Sequence, residues 1–466
     1  MVFSDLLFLF LFLPLSLLLL PLCPARYRRL VMLFLSLSFY VLANLYSPWC
    51  FVQIAFVVAL MCLLTCIPGD TLPRFRLALG VGFPLALFIA SRVCAEVIPQ
   101  YYDYPFGLGM ITLGAISLAI DHYRNDAPET DSPLSVVSYL LFFPTITLGP
   151  VLRYKQYLYL TERATLSLST FSYGATLYML GYLKRIAVST LLFATLNNIL
   201  PGMQDGLLPV PALLLALFLS FFALYFTVSG ITDMSRGLLC LYGYPPTRGE
   251  GRFFSCVMPH RMLYGLIPSL ESFFQDYVAQ PLGRVLPPKW SRRLCAVAVL
   301  LLTLLFYRSH PAILLVALPL FLSAFFGSVP GRYAKRPRRK LLRLPLSLLC
   351  AVFLSVLVLA MMLENPFEIF RLLSSLWRTT DQRSLSHILV SLFYLNHLWL
   401  MFLILAIGMP LTHFLPLLLK NRSARLRKTV HLCYVLFVSA GFLLTIIYLL
   451  PQFPQYVGLS YCEILY

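Results

Sequence analysis

The amino-acid sequence consists largely of long apolar runs separated by short polar loops. An α-helix needs about 17–25 mostly apolar residues to cross roughly 30 Å of hydrocarbon. The runs lie within residues 5–22, 30–46, 50–67, 77–96, 106–121, 136–150, 172–199, 210–243, 292–307, 311–327, 343–363, 388–409 and 430–450. This pattern predicts an all-α polytopic membrane protein with about 11–13 transmembrane helices.

The composition excludes a soluble enzyme. Hydrophobic residues make up 60% of the 466 residues, and charged residues make up 12%. Soluble domains have roughly 45–50% and about 25% of these classes. A chain of this length cannot enclose so much apolar surface in a core of its own, so the lipid bilayer is its first predicted partner.

The charge distribution indicates membrane topology and argues against nucleic acid as a partner. Lys and Arg number 36 against 18 Asp and Glu, which gives a net charge of +18. The basic residues form short clusters between apolar runs, as the positive-inside rule requires. If 136–150 is re-entrant, one face carries most of them and is predicted to be cytoplasmic, while the N-terminus is periplasmic. The loops assigned to that cytoplasmic face are 24–29, 70–76, 151–163, 245–260, 284–293, 328–342 and 419–429.

The eleven cysteines predict neither a disulfide framework nor a metal site. Most of them lie inside apolar runs and have no paired spacing. Cys62 and Cys66 are four residues apart on one helix face, but no His or carboxylate lies near them in the sequence. We interpret the cysteines as small core residues and expect no metal.

Residues 245–284 do not fit the helical pattern, because Pro and Gly interrupt apolar runs that are too short to span a membrane. Non-helical backbone at membrane depth is tolerated only where it is buried in protein or lines a wet cavity. This stretch is therefore predicted to be a broken segment at a functional site. The alternative is an amphipathic loop that lies on the bilayer surface.

Three groups of polar residues stand inside or beside apolar runs, where such residues are costly and often functional. We predict that they line a substrate tunnel, and they comprise Gly149, Pro150 and Arg153; Ser229 and Asp233; and Ser269, Asp276 and Tyr277. A structural role is the alternative for each group. Asp233 could pair with a nearby Arg, and Asp276 could cap a helix.

Six stretches, taken in chain order, resemble the membrane-bound O-acyltransferase (MBOAT) family, in particular its polysaccharide branch. Each contains a family motif, such as Phe-Phe-Pro followed by Gly-Pro and Arg-Tyr, or Ser-Leu followed by Asp-Tyr and Pro-Leu-Gly. The stretches are 1–14, 105–124, 142–154, 181–185, 229–243 and 269–283. The resemblance implies an MBOAT-like fold in a single membrane domain over 1–466, with N-terminal spans in 1–133, a family core in 134–330 and C-terminal spans in 331–466.

The resemblance also implies a reaction. Members of this family transfer an acyl group from a cytosolic acyl-CoA through a tunnel to an acceptor on the far side of the membrane. For this chain it implies acetyl-CoA as a donor substrate with no bound cofactor, and a place in a bacterial inner membrane. It further implies other polysaccharide-synthesis or acetylation proteins as partners.

The family's histidines are missing from the matching positions. An alcohol is a poor nucleophile until a base removes its proton, and the family uses a His for this step. The matching positions here hold Ile267 and Ser323, or Ala324 if the register slips by one, and none of these accepts a proton as imidazole does. His310 is the one histidine nearby in the sequence, but it lies thirteen residues from Ser323, or about 19 Å along a helix.

Three functions remain open from the sequence. The first is a catalytically degenerate MBOAT relative that acts as a scaffold or partner in an exopolysaccharide machine, which the loss of both histidines favours. The second is an active O-acetyltransferase with an unusual base, for which His310 and the Ser323 position are the candidates. The third is a lipid or glycan transporter, although the inverted repeat that such a protein would show is not evident.

Overall fold

A computed structural model describes residues 3, 5–24, 27–44, 48–66, 73–98, 101–124, 126, 132–162, 165, 167–204, 210–246, 268–281 and 424–449, with single residues at 287, 290, 297, 352, 356, 359 and 369. Within these ranges the regular structure is helical and contains no strand. The predicted spans at 292–307, 311–327 and 388–409, and most of 343–363, lie outside the described residues, apart from the single positions 297, 352, 356 and 359.

The helices follow the predicted apolar runs, except for one that lies in the predicted loop 151–163 and one that lies in the stretch 245–284. They are α1 (Leu13–Leu22), α2 (Arg28–Ala43), α3 (Pro48–Cys66), α4 (Pro73–Val97), α5 (Leu108–Tyr123), α6 (Pro133–Leu140), α7 (Tyr154–Glu162), α8 (Leu168–Tyr182), α9 (Thr190–Gln204), α10 (Val210–Leu241), α11 (Pro268–Phe274) and α12 (Ala424–Leu449). Three π-helical segments, Phe8–Phe12, Leu183–Ser189 and Gln275–Ala279, adjoin α1, α8 and α11.

Three helical stretches of the described residues are long and apolar enough to cross a membrane: Pro73–Ala95, Leu168–Asn197 and Leu213–Leu241. Shorter apolar helices pack around them, as in Phe8–Leu20, Trp49–Thr65, Leu108–Tyr123 and Leu432–Ile447. The architecture confirms the prediction of an all-α, multi-pass membrane protein.

The predicted run at 136–150 is a broken helix, as the sequence suggests. Ser132 caps α6 by accepting a hydrogen bond from the backbone N–H of Ser135 at 3.2 Å, and Pro133 occupies the first turn. The helix has only eight residues, because Pro144 cannot continue it. A short 3₁₀ turn, Phe143–Thr145, follows, and then the chain runs without regular structure through 149–153.

Helices α8 and α10 pack antiparallel through two pairs of glycines, Gly174 with Gly237 and Gly181 with Gly230. A Cβ atom built on Gly181 would lie 2.6 Å from the carbonyl oxygen of Gly230, so only hydrogen fits there. Small residues at such crossings let helix backbones approach closely in membranes. This contact forms the centre of the described bundle, and α12 packs on its outside, where the Tyr182 and Phe442 rings are 5.0 Å apart.

An aromatic cluster connects the N-terminal helices to the 3₁₀ turn Phe143–Thr145 that follows α6. Phe143, from the 3₁₀ turn, packs 5.6 Å from Phe12 and 5.4 Å from Phe39, measured between ring centroids. Its other face meets Tyr242 at 5.7 Å, and the Tyr242 hydroxyl shares a 2.6 Å hydrogen bond with Ser16. The 3₁₀ turn is therefore packed between buried rings of the N-terminal helices and the Tyr242 ring.

Candidate functional site

Three features of the described structure contain the polar groups that the sequence singles out. Two are clusters of charged side chains, and the third is a small cavity lined by residues between Met110 and Tyr157 of the chain.

The first, the Lys184 cluster, is an ion pair network between α10 and the π-helical segment Leu183–Ser189 that follows α8. The Lys184 ammonium donates to Asp233 Oδ2 at 2.6 Å and to Ser229 Oγ at 2.9 Å. Arg236 donates to the other oxygen, Asp233 Oδ1, at 3.0 Å. The side chains of Lys184 and Asp233 are each only 7% exposed, so the pair is almost completely removed from water.

A π-helical segment places Lys184 inside the bundle. Lys184 and Arg185 both lie in the π-helical segment Leu183–Ser189, and both are buried. Arg185 donates to the Thr227 hydroxyl at 3.4 Å.

The second, the Tyr277 cluster, joins three distant parts of the chain at one end of the bundle. The Tyr277 hydroxyl reaches both oxygens of Asp121, at 2.9 and 2.8 Å. Arg153 forms an ion pair with Asp276. Arg124 donates to the backbone oxygen of Asp276 at 3.0 Å.

Both guanidinium groups of this cluster also contact the Tyr277 ring. The Cζ atoms of Arg124 and Arg153 lie 5.5 and 5.7 Å from the ring centroid, within cation–π range. Burial raises the pKa of Tyr277 well above its ordinary value, and the neighbouring charge of Asp121 raises it further. The phenol therefore keeps its proton at neutral pH and serves as a hydrogen-bond donor.

The third feature is a small cavity beside the non-helical stretch 149–153. Its volume is about 20 Å³, room for about one water molecule. Its wall includes Pro150, Val151 and Leu152 from the non-helical stretch 149–153, and the other lining residues come from α5, from α6 and the turn after it, and from α7. Tyr139 lines the cavity as well, and its hydroxyl donates to the Leu152 carbonyl at 2.8 Å.

The predicted tunnel residues divide among these features. Arg153, Asp276 and Tyr277 come together in the Tyr277 cluster. Ser229 and Asp233 belong to the Lys184 cluster, so Asp233 pairs with a lysine as well as with the expected arginine.

The other three predicted tunnel residues that the structure describes, Gly149, Pro150 and Ser269, belong to neither charged cluster. Gly149 packs against α10, where a Cβ atom on it would lie 3.1 Å from Ser235 Cβ, and Pro150 lines the cavity. Ser269 lies in α11, and its carbonyl accepts a hydrogen bond from the Ser272 hydroxyl.

The remaining predicted positions fall outside the described residues, namely His310, Ser323 and Ile267. Of the broken segment 245–284, the structure describes 245–246 and 268–281. Asp276 is in an ion pair, which differs from the capping role considered for it. Within the described part of the chain, no group of three or more His, Cys, Asp or Glu side chains could hold a metal ion.

Sequence reasoning missed three members of the clusters, namely Lys184, Asp121 and Arg124. A signal for each was present, because a charged residue within or at the end of an apolar run has to be paired. Lys184 and Arg185 interrupt the run 172–199, and Asp121 and Arg124 end the run 106–121.

Comparison with known proteins shows relatives among polysaccharide acetylation proteins. The chain is 30% identical over 279 residues to a probable alginate O-acetylase AlgI of Pseudomonas putida, with 52% of this chain and 53% of that protein covered. It is 29% identical over 282 residues to the corresponding protein of Pseudomonas aeruginosa, with 52% and 50% covered. It is 28% identical over 267 residues to that of Azotobacter vinelandii, with 52% of each covered.

The chain spans about half the length of these curated relatives. No family model matches it. The all-α membrane architecture is compatible with this similarity. The chain is therefore a relative of the alginate O-acetylases, which confirms its resemblance to the polysaccharide branch of the membrane-bound O-acyltransferase family.

Proposed function

We propose that this protein is an inner-membrane component of cell-surface polysaccharide O-acetylation, and that it acts there as a non-catalytic scaffold or partner. The proposal rests on one contrast, between motif residues that the chain retains and catalytic histidines that it lacks. Residues of the family motifs form both polar clusters, whereas the resemblance places Ile267 and Ser323 at the positions of the family's histidines.

The described clusters support a structural role for their own residues. In the Lys184 cluster, both oxygens of the single carboxylate are occupied by cations. In the Tyr277 cluster, the phenol has a raised pKa and donates a hydrogen bond to Asp121, so it is a poor general base. The two carboxylates of this cluster already have donors, because Asp121 accepts from the Tyr277 hydroxyl and Asp276 is paired with Arg153.

An active O-acetyltransferase is the alternative, and the names of the relatives favour it. In that case the chain would move acetyl from cytosolic acetyl-CoA to a periplasmic polysaccharide or a partner protein. His310 or Ser323, or a partner's side chain, would then stand close to the base position. Under either function, we propose that the N-terminus lies in the periplasm and that residues 1–466 form one membrane domain.

Deleting the gene and measuring the O-acetyl content of the surface polysaccharide tests the proposal. We expect the O-acetyl content to fall, because the acetylation machine loses a component. Complementation with the native chain, with His310→Ala or with Ser323→Ala should restore it equally, since neither side chain performs the chemistry. Membrane levels of each variant, measured by immunoblot, provide the control.

Two results would contradict this proposal. Unchanged O-acetyl content after deletion would exclude a role in acetylation altogether. A variant that reaches native levels in the membrane but fails to restore acetylation would favour the active enzyme, because removing a general base costs about 10²–10⁴-fold in rate.

A further inference from the structure

The small cavity lies where the chain leaves α6, and one backbone carbonyl there loses its usual partner. In an α-helix the carbonyl of Leu140 would accept a hydrogen bond from the N–H four residues later, but that residue is Pro144, which has no N–H. The N–H groups of the two residues after Leu140 bond instead to the carbonyls of Val137 and Tyr139. Leu140 is 4% exposed and lines the cavity. Its carbonyl is therefore a buried acceptor that no backbone N–H of the described residues reaches.

The non-helical stretch 149–153 brings backbone donors to the same cavity. The N–H of Arg153 donates to Gln156 Oε1 at 3.0 Å, whereas no described group accepts a hydrogen bond from the N–H of Val151 or of Leu152. Both of these residues line the cavity, and Val151 is buried. A buried N–H without an acceptor is rare in proteins, because the hydrogen bond that it loses to water costs free energy.

The cavity has the size and the polar groups that one water molecule requires. Its volume is about 20 Å³, and a water molecule needs roughly 10–15 Å³ and about three hydrogen bonds. The Thr145 hydroxyl also lines the cavity, where it donates to the Phe142 carbonyl at 3.0 Å and keeps a lone pair for another donor. The wall thus carries both hydrogen-bond donors and hydrogen-bond acceptors.

We propose that this cavity is a built site for one ordered water molecule, which accepts a hydrogen bond from the backbone of 151–152 and donates one to the carbonyl of Leu140. The water takes the place of the helical hydrogen bond that Pro144 removes, and it joins the end of α6 to the stretch 149–153. Such a bridge lets non-helical backbone persist inside the bundle. The site is independent of the proposed function and is expected equally in a scaffold and in an active transferase.

Radiolytic hydroxyl-radical footprinting of the full chain in lipid nanodiscs tests the water site, because radicals formed from an internal water modify the side chains beside it. Tyr139 and Tyr157 line the cavity and are 6% and 2% exposed. Tyr178 and Tyr242 are equally buried, at 3% and 2%, but do not line it, so they are matched controls within the same chain. We expect Tyr139 and Tyr157 to be modified several-fold faster than the two controls.

Filling the cavity gives a second test, whose sign separates a wet cavity from a dry one. Gly114 lines the cavity from α5, and a Cβ atom there would lie 3.4 Å from Leu140 Cδ2 and 3.6 Å from Tyr139 Oη, which are ordinary contacts. In a dry cavity, Gly114→Ala would raise the unfolding temperature, because alanine fills empty space and favours the helix. If the methyl group displaces a water, buried polar groups lose their partner.

We therefore expect Gly114→Ala to lower the unfolding temperature by about 2–4 °C and to slow the modification of Tyr139 to the rate of Tyr178. Gly82→Ala is the matched control, because a Cβ atom there meets nothing within 4 Å and only the gain in helix propensity remains.

Two results would overturn the proposal. Modification of Tyr139 in the native chain as slow as that of Tyr178 would show that the cavity is dry. An unfolding temperature of Gly114→Ala at or above that of Gly82→Ala would show that the methyl group fills empty space. If Gly114→Ala does not reach the membrane, the comparison of tyrosines in the native chain still decides between a wet and a dry cavity.

Discussion

Replacing Asp233 with alanine is expected to destabilise the protein by about 3–5 kcal/mol, because it leaves two buried cations without their carboxylate. Lys184 and Arg236 both donate to Asp233 inside the α8–α10 contact. No water can replace the lost oxygens without opening the helix pair. Thermal unfolding in detergent, followed with a thiol-reactive fluorophore after accessible thiols such as Cys433 are blocked, measures this loss, since the buried Cys50 and Cys240 react when the protein unfolds.

Two controls separate a buried charge from an ordinary surface ion pair. Asp126→Ala breaks the exposed pair with Lys155 and should change the stability by less than about 1 kcal/mol. The triple variant Lys184→Met, Asp233→Leu, Arg236→Met removes all three charges and should be more stable than Asp233→Ala alone, because no charge is left unpaired. An Asp233→Ala protein as stable as the native one would contradict the burial of this cluster.

Replacing Gly181 with alanine is also expected to lower the stability of the protein substantially. The new methyl group would lie 2.6 Å from the Gly230 oxygen and from the Met234 nitrogen, and both atoms belong to helix backbone that cannot rotate away. The two helices must separate, which is expected to cost about 1–3 kcal/mol and to weaken the Lys184–Asp233 contact as well. The same thermal unfolding measurement detects it.

Gly82→Ala is the matched control for this prediction. Gly82 also lies within a helix, α4, but a Cβ atom there meets nothing within 4 Å. Alanine has a higher helix propensity than glycine, so this variant should be neutral or slightly stabilising. If Gly181→Ala and Gly82→Ala have the same unfolding temperature, the close approach of α8 and α10 is wrong.

The helical framework could be predicted from the sequence because it depends on local patterns. Apolar runs of sufficient length give α4 and α10, and Pro144 explains why α6 stops after eight residues. The class of membrane protein follows from the same patterns, since lipid imposes strong length and polarity constraints on each helix.

The pairing of charges could not be predicted in the same way, because it depends on contacts between distant residues. Tyr277 bonds to Asp121, 156 positions earlier in the chain, and no local pattern connects the two. Lys184 lies in the π-helical segment directly after α8, and glycines allow α8 to approach α10 closely enough for it to reach Asp233. A single sequence contains the polar residues but not their partners.

The central claim is that this chain retains the framework of its acetylating relatives without performing the transfer. Acetyl transfer from radiolabelled acetyl-CoA, measured in proteoliposomes with polysaccharide and co-purifying proteins supplied, tests it most directly. A probable alginate O-acetylase from Pseudomonas putida serves as the positive control. We expect label in polysaccharide with the relative and none with this chain in its place, whereas labelled polysaccharide that is lost with His310→Ala or Ser323→Ala would show that the chain is itself the transferase.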